Sequence, residues 1–161
     1  MPELTGDYIW VTQRNIKRVL KINVVAAELK KAVQDYVAKP AAADLGVSLR
    51  DSDAHSALSF ALDTPYGEVR AVFDHVMRDN AVLGRCSFKW LKDVAKSEPQ
   101  VTDVWSFLFD TDSAATLGLD AHFTWTFFEN APGVENAIRT ALLTLLAHIH
   151  LLLPQLDEAS E

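Results

Sequence analysis

Apolar and polar residues alternate with a period of two through the middle of the chain. Leu58, Phe60 and Leu62 alternate with Ser59, Ala61 and Asp63. Val69, Ala71, Phe73 and His75 alternate with Arg70, Val72 and Asp74, and Cys86, Phe88 and Trp90 alternate with Arg85, Ser87 and Lys89. Two aromatic runs follow, Val101–Phe109 and Ala121–Phe128. Trp105, Phe107 and Phe109 share one face of the first; Phe123, Trp125 and Phe127 share one face of the second, opposite His122, Thr124 and Thr126. Such alternation, rich in aromatic and β-branched residues, marks strands buried on one side. Thr64-Pro65-Tyr66-Gly67 and Arg78-Asp79-Asn80 supply turn chemistry between them. Val69, Val72, Phe73, Val76 and Met77 also fit a helical spacing over 65–78. The position of Gly67 and the clean alternation on either side favour a strand there.

A period near 3.6 frames these strands. Val19, Ile22, Val25, Ala26, Leu29, Val33, Tyr36 and Val37 form one stripe of a helix expected from about Gln13 to Ala38, which Pro40 ends. Residues 1–12 read as an N-terminal arm or short strand around Tyr8–Val11. A second helix opens at Asn130-Ala131-Pro132 with Glu135 in its first turn. It carries Ile138, Leu142, Leu145, Ile149 and Leu152 as its main stripe and stops at Pro154, leaving 155–161 as a frayed acidic tail. Leu45–Leu49 is a possible short strand, Leu91–Gln100 one or two helical turns, and Thr111–Asp120 a long loop. The expectation is one α+β domain over 1–161. It is a two-layer sandwich in which an antiparallel meander of about five strands carries long N- and C-terminal helices on one face.

Composition adds a charge asymmetry. The net charge is −7, yet through Lys39 the chain holds seven Lys/Arg against four Asp/Glu, and the remainder holds eight against eighteen. An acidic body argues against broad phosphate-backbone binding. The basic first helix, with Arg14, Lys17, Arg18 and Lys21, leaves a nucleic-acid contact as a third-ranked reading. The single cysteine, the absence of a secretory pattern at the N-terminus and the interrupted apolar stretch Ala141–Leu153 point to a cytoplasmic protein without a membrane span.

Candidate chemistry is sparse. Asp53-Ala-His55, Asp74-His75 and Asp120-Ala-His122 pair carboxylates with imidazoles, but their spacings match no compact metal motif. His75 and His122 also fall on opposite faces. His148 and His150 lie about 200° apart on a helix and so cannot share an ion. Cys86 belongs to an apolar strand face. No phosphate loop, nucleophile elbow or paired-cysteine motif occurs, so neither a cofactor nor a metal is expected and the balance leans away from an enzyme. What remains is a polar outer sheet face, on which Arg70, Arg85, Lys89, Asp110, His122, Thr124 and Thr126 are the candidate partner-binding residues. The alternative is an aromatic pocket lined by Trp105, Phe107, Phe123 and Trp125, which suits a small-molecule binder or an enzyme.

The strand meander between helices, and the closing passage FTWTFFENAPGVENAIRTALLTLLAHIHLLLPQL, resemble the bacterial type III secretion chaperone fold and the related YbjN-type domains. The likeness covers most of the chain in outline, and the long basic first helix departs from it. It implies a non-enzymatic homodimer that binds a protein segment, bacterial or carried on a mobile element. The C-terminal helix, apolar on more than one stripe, is the expected dimer contact.

Overall fold

A computed structural model describes residues 5–50, 58–92, 98, 100–128 and 133–156. The chain opens with helix α1 (Gly6–Val37) and a 3₁₀ turn (Pro40–Leu45). Seven strands follow: β1 (Ser48–Arg50), β2 (Phe60–Thr64), β3 (Gly67–Arg78), β4 (Ala81–Lys92), β5 (Gln100–Phe109), β6 (Ala114–Thr116) and β7 (Phe123–Thr126). Helix α2 (Val134–Leu152) closes the described part. The strands pair in chain order, each antiparallel to the next, and the sheet curls into a half-barrel. This corrects the flat sandwich of about five strands that alternation suggests. The two additional strands, β1 and β6, are three residues each, too short to show a period.

Helix α1 begins at Gly6, so the segment expected as an arm or strand belongs to the helix. Thr5 caps it: its Oγ1 accepts from the Tyr8 amide at 3.3 Å, and Asp7 sits in the first turn where the helix dipole favours an acid. These terminal gains outweigh the weak helix propensity of Tyr8-Ile9-Trp10-Val11. Residues 65–78 resolve as the strand β3 after a turn at Pro65-Tyr66. In that turn Thr64 Oγ1 donates to Gly67 O and accepts the Tyr66 amide, while Gly67 takes φ +113°, open only to glycine at low cost. Of the stretch Leu91–Gln100, Leu91 and Lys92 end β4 and Gln100 starts β5; the expected helical turns fall on 93–97, outside the described residues. The Asn130–Pro132 start signal and His55 also lie outside them.

The core lies between the inner sheet face and the helices. Ile22, Val25, Leu29, Val33 and Tyr36 of α1, with Ile138, Leu142, Leu145 and Ile149 of α2, meet Val69, Ala71, Cys86, Phe88, Trp90, Trp105, Phe107 and Phe109. Two bulges change the strand parity. Phe88 pairs with Trp105 but Lys89 with Asp103, which leaves Val104 extra and turns Asp103 to the outer face. Ala115 pairs with Trp125 but Thr116 with Phe123, so Thr124 is extra and Phe123 leaves the inner layer. Phe123 instead lies under the Arg78 guanidinium, 5.0 Å from its ring centre. Arg78 Nη1 also donates to Ala121 O at 3.1 Å. Together these contacts bring the start of β7 back to β3, four places away in the strand order.

Candidate functional site

The outer-face residues mostly satisfy one another. Arg85 grips Asp74 across β3 and β4 with both a Nε–Oδ1 bond of 2.9 Å and a Nη2–Oδ2 bond, which holds the guanidinium proton more firmly than in water. Lys89 Nζ meets Asp103 at 2.6 Å, and Ser106 Oγ donates to Ser87 Oγ at 3.0 Å. Arg70 lies 3.5 Å from Glu68, which also faces Arg50. Asp110 Oδ1 accepts from the amides of Asp112 and Ala114 and shapes the β5–β6 turn. Thr126 Oγ1 donates to Ser113 O, while His122 and Thr124 are exposed beside the second bulge. The face is a ladder of cross-strand pairs, each worth a few tenths of a kcal/mol to about 1 kcal/mol. Its charges are already engaged.

Trp105, Phe107 and Phe109 form a packed layer, whereas Trp125 at its edge borders a cleft of about 350 Å³ between β7 and α2, with Thr124, Thr140 and Ala141. Phe107 and Phe109 are fully buried, Trp105 nearly so, and their rings lie 5.0–6.2 Å from those of Phe88, Phe73, Trp125 and Phe127. Trp105 and Trp125 donate their indole N–H groups to Leu117 O at 2.7 Å and Thr116 O at 2.9 Å. The void beneath the helices near Cys86 measures about 10 Å³, room for roughly one water. A second cleft of about 340 Å³ lies between α1, α2 and Phe127, bordered by Glu28, Asp35 and the Lys39–Glu135 ion pair.

The histidines are dispersed. His75 Nε2 bonds Asn23 Oδ1 of α1 at 2.8 Å. His148 stacks on Trp105 at 5.9 Å with Nδ1 against Thr144 O, and His150 bonds the Tyr66 hydroxyl. Among the described residues no three His, Cys, Asp or Glu side chains gather as metal ligands. Burial pushes the Cys86 thiol up to about 12, with the nearby Asp74 charge adding to the effect, which leaves it a poor nucleophile.

Unsatisfied surface is concentrated on α1. The helix has 32 residues, so it is about 48 Å long, and Ile22 is its first buried residue. Over the first sixteen residues no side chain is buried and only Val19 packs against the core, so this part of the helix is a lightly covered overhang. On and beside this overhang Tyr8, Ile9, Trp10, Ile16, Leu20 and Val24 are 53, 43, 61, 55, 63 and 59 % exposed. Ile9, Gln13, Ile16, Leu20, Val24 and Ala27 follow intervals of 4, 3, 4, 4 and 3. That spacing is one straight stripe, about half a turn around the axis from the buried stripe. Arg14, Lys17, Arg18 and Lys21 occupy one flank, with Arg14 over the Trp10 ring at 5.1 Å. The sequence singles out these four bases and places Ile22 through Tyr36 on the inner stripe. The second, outward stripe is equally legible in the spacing, since all its residues but Ile9 fall within the helix expected from Gln13. On α2 the outward residues Leu143 and Leu151 are 44 and 79 % exposed, with the exposed Ala147 between them.

Among the described residues no helix is long and apolar enough to cross a membrane. No family model, curated protein or solved structure matches the chain.

Proposed function

We propose that this chain is a non-enzymatic protein-binding adaptor that works by association through its helix layer. The observation that carries this reading is the outward stripe of α1: apolar, regularly spaced and uncovered over five turns, while the sheet's own charges are paired. Isolated exposed leucines need no explanation, whereas a contiguous apolar ridge rimmed by Arg and Lys has the composition of a contact surface. Trp10, Tyr8 and Arg14 add the side-chain types that dominate interface energies. Support for a binding role over a catalytic one comes from the burial of Trp105, Phe107 and Phe109 in the core and from the deeply protonated Cys86. A photo-crosslinking residue at position 20, compared with one at position 70 on the outer sheet, tests this in the native cells. Protein adducts concentrated at position 20 are the expected result. Adducts absent at 20 but abundant at 70 would move the contact to the sheet and overturn the reading.

A further inference from the structure

We infer that the occupant of the α1 stripe is a second copy of this chain, docked helix layer to helix layer so that α1 of each copy lies on α2 of the other. The inference rests on the association reading above and names its partner.

Three observations converge on it. First, the chain has two uncovered apolar stripes, and both point away from the sheet. The α1 stripe lies opposite the buried Ile22, Val25, Leu29 and Val33, and Leu143, Ala147 and Leu151 lie opposite the buried Ile138, Leu142, Leu145 and Ile149. They cannot cover each other within one molecule. The overhang joins the covered part of α1 beside His75, near the β3–β4 turn, while α2 ends beside Tyr66 at the β2–β3 turn. These points are separated by most of the length of β3, about 30 Å. A two-fold axis that sets two helix layers face to face solves this, because it lays each overhang along the far end of the other copy's α2. The α2 spacing of 4 and 4 from Leu143 matches the 4 and 4 from Ile16 to Val24, and Ala27 and Ala147 permit close approach.

Second, charge favours an exchange over a pairing of like helices. Residues 1–24 hold four bases (Arg14, Lys17, Arg18, Lys21) and two acids (Glu3, Asp7), a net +2. The remaining residues carry −7 − 2 = −9. An antiparallel α1–α1 contact centred on Ile16 would set two Lys17 side chains together, whereas α1 on the partner's α2 avoids that repulsion, because α2 carries only Glu135 and Arg139. Third, the area suffices. Scaled by exposed fraction, Ile9, Ile16, Leu20 and Val24 of the α1 stripe present on the order of 400 Å², Leu143 and Leu151 of α2 add about 200 Å², and a standard interface needs about 800 Å² per partner, little more than half of it apolar.

Sedimentation of the intact chain from 1 to 100 µM, followed by pairwise cysteine crosslinking, tests the inference. A dimer is expected over this range, and Leu20→Asp is expected to weaken it by at least about 100-fold with the far-UV circular dichroism unchanged. Leu20→Ser serves if the aspartate variant does not fold. Oxidising a mixture of Leu20→Cys and Leu143→Cys chains should give a disulfide dimer of one of each, with the buried Cys86 as a silent background. Efficient self-crosslinking of Leu20→Cys alone, with nothing added by Leu143→Cys, would replace the exchange by an α1–α1 contact and overturn it. A chain monomeric at 100 µM overturns the second-copy inference. If its position-20 crosslinks then reach another protein, the association reading stands without it. Co-sedimentation of that monomer with equimolar phosphatidylcholine–phosphatidylserine vesicles, without protein adducts, would overturn both.

Discussion

Gly84→Ala is the substitution that most sharply tests the packing of the aromatic layer. Gly84 pairs with Phe109 on one side and His75 on the other, in the centre of the sheet. A Cβ added there would stand 2.3 Å from Phe109 Cζ, 2.5 Å from Cε2 and 2.8 Å from Cε1. The Phe109 ring thus lies flat on the glycine. It cannot slide away, because it is fully buried and Phe73, Phe107 and Phe127 surround it at 5.7, 6.5 and 5.8 Å. Overpacking of this kind costs about 1–3 kcal/mol. Replacing a strand glycine by alanine returns about 0.5–1 kcal/mol of backbone entropy. The expected net loss is about 1–2 kcal/mol, or about 2–8 °C in Tm for a chain of this size. Urea melts at one fixed protein concentration should show a lower midpoint with an unchanged slope. The cause is separable by a cycle with Phe109→Leu, which removes the ring atoms that clash. The double variant should be more stable than the sum of the singles by about 1 kcal/mol or more. A neutral or stabilising Gly84→Ala, or strict additivity with Phe109→Leu, would refute the argument that ring and glycine are one packing unit.

Thr116→Val should cost about 1–3 kcal/mol, because the fully buried hydroxyl accepts from the Leu108 amide at 2.9 Å and donates to Gly118 O at 2.8 Å. Faster hydrogen exchange at Leu108 is the residue-level readout. Cys86 should resist alkylation at pH 8 and react only as urea unfolds the chain, since its thiol titrates near 12; fast labelling in the native state would contradict its burial. Asp44 accepts from Arg139 Nη1 at 3.0 Å and Nη2 at 2.6 Å, and this hydrogen bonding holds its carboxyl below the ordinary value. A lowered folded value means the pair stabilises above the ordinary carboxylate range and fades as pH falls through the folded one. Asp44→Asn should therefore lower Tm near neutral pH, with the gap closing in acid; a gap that widens in acid would reverse the sign.

The long strands and the inner faces of β3, β4 and β5 were readable because their periods run uninterrupted for several residues. Three features escaped. The strand β6 is too short to have a period and meets β5 at the single pair Phe109–Ala115, while β1, Ser48–Arg50, overlaps the short strand expected over Leu45–Leu49 only at its end, Leu45 closing the 3₁₀ turn. The bulge at Thr124 reverses parity inside an aromatic run that alternates faultlessly on paper, so Phe123 was assigned to the wrong side. And Tyr8-Ile9-Trp10-Val11 has the composition of a strand, although the Thr5 cap and Asp7 preceding it mark a helix start. That last misreading removed Tyr8, Ile9 and Trp10 from the helix, while Ile16, Leu20 and Val24 of the outward stripe stayed within it.

The single backbone pair between β5 and β6 divides the sheet mechanically. From β1 to β5 the strands are laced by long ladders, but β6 and β7 are tied on by the Asp110–Ala114 backbone bond and by side chains: the Trp105 indole, the Thr116 hydroxyl and the Arg78 guanidinium. Side-chain tethers let go one by one, whereas a ladder yields cooperatively. Parting the last hairpin from β5 would bare a backbone edge in the middle of the sheet, and what holds it closed is the burial of Ala115 and Phe127 in the core more than any ladder.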